Sequence, residues 1–386
     1  MKDAVARWGF VAALTLARVA FGYQFQSLAS MAPELMGQFQ LDYAALGSLI
    51  GLYMAPGILV ALPGGLLGRR FGERLVVGAG LLLMLGGGAV SWLASGPGGI
   101  GLGRLVAGAG AVTLTVMQGQ MVSDRFTGRL FMPVMSLLVG AFPVGAGLAG
   151  LTHEPLVRAY GWPGMFALGA AMAGVAALLF LLTCGPPQRL SGPRWALPSR
   201  RESVLVIVAG LIWTAYNAGY YGFLSYVPSL LAARGHGPEL TASVMLVATW
   251  SNLPATLIGG TLAVRLGNWP VMLVGTAAGV VAVAGPALAD WPLLWGTLFG
   301  TIASIHAGVI IAVGTLSARP ENRAVGMGLF YTTYYLGGTV LPAVCGKAAD
   351  LMGDPGGALL AAAAMAALAL PIYSLHERLQ RRHAIG

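Results

Sequence analysis

The chain has 386 residues, 57% of them hydrophobic and only 9% charged, with a mean hydropathy of +0.77. A soluble protein of this length carries about a quarter charged residues, so a soluble globular domain is excluded and an all-α integral membrane protein is expected, with the lipid bilayer as its first partner. The formal net charge of +9 needs no nucleic acid, because a multi-pass protein collects basic residues in its cytoplasmic loops.

Twelve apolar stretches follow one another between Pro/Gly-rich or charged breaks, near 9–31, 44–64, 76–95, 99–121, 132–151, 162–183, 204–228, 241–263, 270–288, 292–314, 326–346 and 357–376. The first resembles a signal peptide superficially, but its apolar run is too long and lacks a small-residue cleavage site before Pro33, so a retained helix is expected. The 58 glycines suit close helix–helix approach in lipid. Cys184 and Cys345 sit at ends of apolar stretches in no disulfide or metal pattern, and no cofactor or metal is expected. With the N-terminus in the cytoplasm, loops on that side hold 17 of the 22 Lys+Arg, while the opposite side holds Arg158, Arg234 and Lys347. This asymmetry places both termini inside, in an inner (plasma) membrane.

The interior loop 185–203 divides the chain into six helices over 1–184 and six over 204–386 with a short tail. The halves repeat. "GLLGRRFGER" (Gly65 to Arg74) is matched by "GTLAVRLGNW" (Gly260 to Trp269) at an offset of 195 residues, and "GRLFMPVMSLLVG" is echoed by "NRAVGMGLFYTTYYLGG". Two fused six-helix repeats point to a transporter with its site near midplane between them.

These residues resemble the major facilitator superfamily over nearly the whole chain. Gly65 to Arg74 is similar to its signature loop between helices 2 and 3, Arg104 with Gly108 and Gly110 to its helix 4 pattern, and "YGWPGMF" (Tyr160 to Phe166) to the start of its helix 6. The loop's usual acid is Arg69 here and Val264 in the second half. Gly140 to Gly147 is loosely similar to a motif linked to drug antiporters. Within the superfamily, the polar first helix followed by "LDYAALGSLIGLYMAPG" looks most like the nitrate/nitrite and cyanate permease group. The resemblance implies two pseudo-symmetric six-helix bundles and a conformational-switch role for Gly65, Arg69, Arg70, Gly72 and Arg74.

All 13 Asp and Glu fall in loops or at ends of the expected helices, leaving Arg18 and Arg104 as the only permanently charged residues within spans. A charge at bilayer depth is costly and normally faces a cavity or a partner, and two cations without an intramembrane acid favour an anion. Arg18 lies about 15 Å into its helix, near the middle of a ~30 Å core. It is the expected anchor for a small anionic substrate, with snorkelling or helix–helix bonding as the alternative. Gly22 and Gln26 share its helical face. Arg104, Gln118 and Gln120 are candidates for a second anion contact or gate, and Arg104 is equally suited to bonding backbone carbonyls.

In the second half Trp213, Tyr216, Asn217, Tyr220 and Tyr221 form one helical face, and the 195-residue offset maps Arg18 onto Trp213. Aromatic stripes usually pack, but amphipathic ones in lipid need hydrogen-bond partners. Tyr23, Gln26, Trp213, Tyr216, Asn217 and Tyr220 are therefore expected to shape the pocket, with Trp250, Asn252 and Tyr331 as further lining. His306, the only histidine inside a span, is either a satisfied interior residue or a proton site. The expectation is a monomeric secondary transporter of a small organic or inorganic anion, working as exchanger, facilitator or proton symporter and not an enzyme. A multidrug/proton antiporter is the alternative, disfavoured by the missing intramembrane acid.

Overall fold

A computed structural model describes residues 2–63, 70–126, 130–185, 198–319 and 322–381. In chain order the helices are α1 (Lys2–Ser30), α2 (Ala32–Phe39), α3 (Tyr43–Leu52), α4 (Pro56–Val60), α5 (Glu73–Trp92), α6 (Pro97–Arg125), α7 (Phe131–Tyr160) and α8 (Pro163–Thr183). They continue as α9 (Arg200–Ala233), α10 (Pro238–Trp250), α11 (Asn252–Leu266), α12 (Asn268–Leu288), α13 (Pro292–Gly300), α14 (Ala307–Leu316), α15 (Arg323–Met352), α16 (Gly356–Ala367) and α17 (Ala369–Arg381), with a 3₁₀ turn at Ile302–Ser304. Among the described residues, ten segments are long and apolar enough to cross a membrane. The polar α1 and α15, 29 and 30 residues long, complete the twelve expected.

Local chemistry sets the helix ends. Proline occupies the first turn of α6, α8, α10 and α13, where its missing N–H has no intrahelical partner to lose. Ser199 and Glu202 form a capping box at the start of α9, and Glu202 also accepts from the Arg319 amide at 2.9 Å and Asn322 Nδ2 at 3.0 Å. Gly72 and Gly267 precede α5 and α12 with φ/ψ of 81°/150° and 86°/165°. They stand 195 residues apart, so the sequence repeat is also a backbone repeat, at a conformation open essentially to glycine alone.

The described residues group into two compact units, Met1–Phe39 with Leu52–Gly192 and Gln40–Gly51 with Pro193–Gly386. In the first, α1 and α7 approach to backbone contact: a Cβ at Gly22 would meet the Phe142 carbonyl, and one at Gly145 the Val19 carbonyl. Glu73, 1% exposed, pairs with Arg125 across α5 and α6.

Residues 40–51, which the sequence division places in the first half, belong to the second unit because α3 docks on α15. Asp350 accepts from the amides of Tyr43 and Ala44 at 2.8 and 3.0 Å, capping α3's N-terminus. Gly47 and Gly51 lie against the carbonyls of Pro342 and Thr339. Four expected helices are interrupted, the twelfth at Leu368 between α16 and α17. The second splits into α3 and α4, and the eighth into α10 and α11 at Ser251, before Pro254. The tenth breaks mid-span between α13 and α14.

Candidate functional site

In the first unit the polar interior centres on Gln24. Its Nε2 donates to the carbonyls of Met84 and Gly169 at 3.0 and 3.1 Å, and its Oε1 accepts from the Tyr53 hydroxyl at 2.9 Å. Arg104 is fully buried, and its fork donates to the carbonyls of Gln24 at 3.1 Å and Phe25 at 3.4 Å. Those donors are therefore engaged in clasping α1 to α6, and an anion would have to displace them.

Arg18, 9% exposed, donates from Nη1 to the Thr115 hydroxyl at 3.0 Å and from Nε to the Leu138 carbonyl at 3.4 Å. Its guanidinium carbon lies 5.2 Å from the Phe21 ring centre and 5.8 Å from that of Phe142. These contacts hold a planar cation among α1, α6 and α7. Gln26 and Gln118 are buried. Tyr23 is fully buried, and its hydroxyl bonds Thr152 Oγ1 at 2.9 Å and Met165 Sδ at 3.3 Å between α1, α7 and α8. Arg70 lies over the Phe71 ring and Arg74 donates to the Leu181 carbonyl at 2.9 Å. Gly65, Arg69 and the Gln120 side chain lie outside the described residues.

The second unit is built differently. On α9, Trp213 stacks on Tyr216 at 5.1 Å and Tyr216 on Tyr220 at 6.2 Å, and the ladder continues to Phe299 of α13 at 5.5 Å. From α15, Phe330 and Tyr334 meet Trp213 at 6.3 and 6.1 Å, with Tyr331 5.3 Å from Phe330. The Asn217 amide donates at 2.8 Å to the Trp213 carbonyl of its own helix. Trp250 is 45% exposed and joins no part of the ladder. Asn252 does reach inward, donating to Ser304 Oγ at 2.8 Å.

Ser304 marks the break in the tenth span. Thr301 leaves helical geometry (φ −101°, ψ −93°), Thr301 Oγ1 donates to the Thr297 carbonyl at 2.5 Å, and Ser304 Oγ to that of Phe299 at 3.0 Å. The Ser304 hydroxyl thus serves a carbonyl beside the break, while the Thr297 carbonyl also keeps the Thr301 amide, in keeping with irregular backbone at membrane depth. The break opens a cavity of ≈ 20 Å³ whose lining includes Tyr216, Tyr220, Thr276, Phe299, Ser304 and His306, enough for a water-sized occupant. His306, 2% exposed, stands edge-on to Tyr216 at 5.0 Å.

Sequence reasoning missed Gln24, Tyr53, Thr115, Thr276 and Ser304. Gln24 adjoins the residues it did select, and Thr276 is the only hydroxyl side chain in α12. The broken span has no internal proline, so Gly300-Thr301 and Ser304 were its only signals. Among the described residues, no three His, Cys, Asp or Glu side chains gather to hold a metal ion.

The family model of the Major Facilitator Superfamily matches residues 14–342. The chain belongs to this superfamily. A 3-(3-hydroxy-phenyl)propionate transporter of Escherichia coli is 25% identical over 84% of this chain and 83% of its own length. An MFS-type efflux pump of Mycolicibacterium smegmatis is 26% identical over 92% and 89%. The crystal structure of a point mutant of the nucleoside transporter NupG shares the fold, with a TM-score of 0.76 at 12% identity over 97% of this chain and 99% of that one. This facilitator is accordingly a multi-pass membrane transporter and not an enzyme.

Proposed function

We propose that this facilitator moves a small organic anion, a monocarboxylate on a planar apolar body, by alternating access. The charge content of the spans carries this reading: Arg18 and Arg104 are the permanent charges within them, and both are positive. Arg18 is the anchor in this reading: it is the more exposed of the two, 9% against 2% for Arg104, its fork suits a carboxylate, and its setting beside Phe21 and Phe142 suits apolar carbon. In the second unit the Trp213–Tyr216–Tyr220 ladder offers a flat face, and Trp213 Nε1, buried with no hydrogen-bond partner, offers a donor. The E. coli relative named for 3-(3-hydroxy-phenyl)propionate supports the substrate class. The distribution of basic residues supports an inner-membrane orientation with both termini cytoplasmic.

Counterflow in proteoliposomes tests this with 3-(3-hydroxyphenyl)propionate, benzoate, nitrate, nitrite and cyanate. The aryl carboxylates are expected to exchange, and Arg18→Gln to slow them about 10- to 100-fold, the loss of a charged hydrogen bond. Exchange of the inorganic anions alone would move the reading to the nitrate/nitrite and cyanate class, and unimpaired exchange by Arg18→Gln would remove the anchor. A second reading, export of amphipathic compounds, is favoured by the M. smegmatis efflux relative. Proton-driven drug efflux without carboxylate counterflow would establish it.

A further inference from the structure

The break in the tenth span leaves two polar atoms that the substrate reading does not use. Thr276 Oγ1 and His306 Nδ1 are both buried without a hydrogen-bond partner, and both residues line the cavity opened by the break. Their neighbours are satisfied. The Tyr216 hydroxyl bonds Asn252 and Ser304, Asn252 bonds Ser304, and the His306 ring bonds the Ala303 carbonyl. A ring that donates one N–H to a carbonyl presents its other nitrogen as an acceptor when neutral. Buried polar groups of this kind ordinarily have a partner, and the cavity has room for a water-sized one. Room for the imidazole is itself made by sequence, since a Cβ at Gly275 would strike the His306 ring.

The groups facing His306 are few. From α9 come the Tyr216 and Tyr220 phenols, from α12 Gly275, Thr276 and Gly279, from α16 Ala366, and from α13 and the 3₁₀ turn Phe299, Ala303 and Ser304. The phenols are the only titratable side chains among them, and among the described residues no acid or permanent cation lines the cavity.

We propose that this cavity is a proton site, in which a water-sized donor sits between Thr276 Oγ1 and His306 Nδ1 and His306 takes up and releases one proton in each transport cycle. On uptake an O–H bond of a hydronium ion breaks, an Nδ1–H bond forms, water stays in the cavity and the ring becomes imidazolium. With no acid lining the cavity, that charge is offset only by an anion, so loading of the proton and of an anionic substrate favour each other. A break at mid-span gives the element a point at which to bend as its charge changes. The inference rests on the transporter reading for its cycle, but the site itself does not depend on substrate class.

The full chain labelled with ¹⁵N-histidine in lipid nanodiscs, with His306 assigned by comparison with His306→Gln, tests the site without any substrate. The Nδ1 resonance is expected to pass from unprotonated to protonated between about pH 9 and about pH 4. Thr276→Val is expected to displace that transition by about one pH unit, tenfold in proton affinity, and Thr276→Ser to restore it. An Nδ1 resonance that never changes, or a transition indifferent to Thr276→Val, overturns the proposal. In proteoliposomes, an imposed gradient should accumulate the counterflow substrate about tenfold per pH unit at one proton per anion, a gain that His306→Gln abolishes while counterflow persists. Accumulation undiminished in His306→Gln also overturns it. If none of the tested anions exchanges, the substrate reading fails and the resonance measurement still decides the proton site.

Discussion

In the first unit the polar groups close on one another: Arg104 and Gln24 between them engage four backbone carbonyls and the Tyr53 hydroxyl. In the second unit an aromatic ladder runs past an interrupted helix, and two buried polar atoms at the interruption are left over. Yet the units share a repeat that reaches down to the backbone angles of Gly72 and Gly267. The repeat therefore specifies scaffold and turns, while interior chemistry diverges freely on it. The clasp of Arg104 and Gln24 on backbone carbonyls resists change, whereas unspent polar atoms beside a helix break equip that place to bind or to move.

The largest effect is expected where backbone meets backbone. Gly145→Val would drive a side chain into the Val19 carbonyl, and neither partner can yield without parting α1 from α7. A loss above about 4 kcal/mol is expected, read as disappearance of the monodisperse peak in fluorescence-detected size exclusion. Gly86 has open space around its Cβ position, and Gly86→Ala should gain about 0.5–1 kcal/mol from the lower entropy cost of ordering alanine. A folded Gly145→Val protein would refute the tight seam.

Next comes a contrast between the two buried bases. Arg104→Gln strips the Gln24 and Phe25 carbonyls of their donors, at about 1–3 kcal/mol for each buried group left unsatisfied. His306→Gln removes a ring whose Nδ1 makes no hydrogen bond and should cost far less stability while changing proton coupling. Thermal unfolding in detergent compares them, and equal losses would erase the distinction between the carbonyl clasp and the helix break. A smaller, matched pair tests the repeat itself. Gly72→Ala and Gly267→Ala each force a side chain into a positive-φ conformation, at about 1–3 kcal/mol, and the two melting shifts should agree. Unequal shifts would mean that the shared angles are not equally constrained.

Much of this was legible in the sequence, because lipid imposes strong rules on composition. Apolar length gave the twelve spans, basic loops their expected orientation, and the 195-residue offset the repeat. The setting of Arg18 was legible only in part: its depth follows from counting residues, but Thr115 and Leu138 come from helices 97 and 120 residues away. Helical periodicity placed Tyr23 and Asn217 on shared faces with the other candidates, but a helical wheel shows which face a residue occupies and not what that face meets. Tyr23 meets Thr152 and Met165, and Asn217 turns back on its own helix. The broken tenth span was invisible for a related reason. Glycine, threonine and serine are common at helix seams, so only the backbone angles of Thr301 and the Ser304 hydroxyl on the Phe299 carbonyl distinguish a break from a seam.

The smallest expected effect lies at the ends of the units and not in their interiors. Each unit carries an acid–histidine pair, Glu34 with His153 at 2.9 Å in the first and Asp290 with His236 at 2.8 Å in the second. Partial burial pushes the Glu34 carboxyl up, but the hydrogen bond and charge of His153 outweigh it, so the carboxyl sits below its ordinary 4.5. A carboxyl depressed in the folded state contributes stability that is complete above its unfolded value and is lost as pH falls through the folded one. Melting temperature should therefore drop more steeply for wild type than for Glu34→Gln between about pH 5 and about pH 3, and run parallel above that window. The margin is small because a partly exposed pair is screened by solvent. Parallel curves throughout would mean that His153 holds Glu34 equally well charged or neutral, reducing the pair to packing.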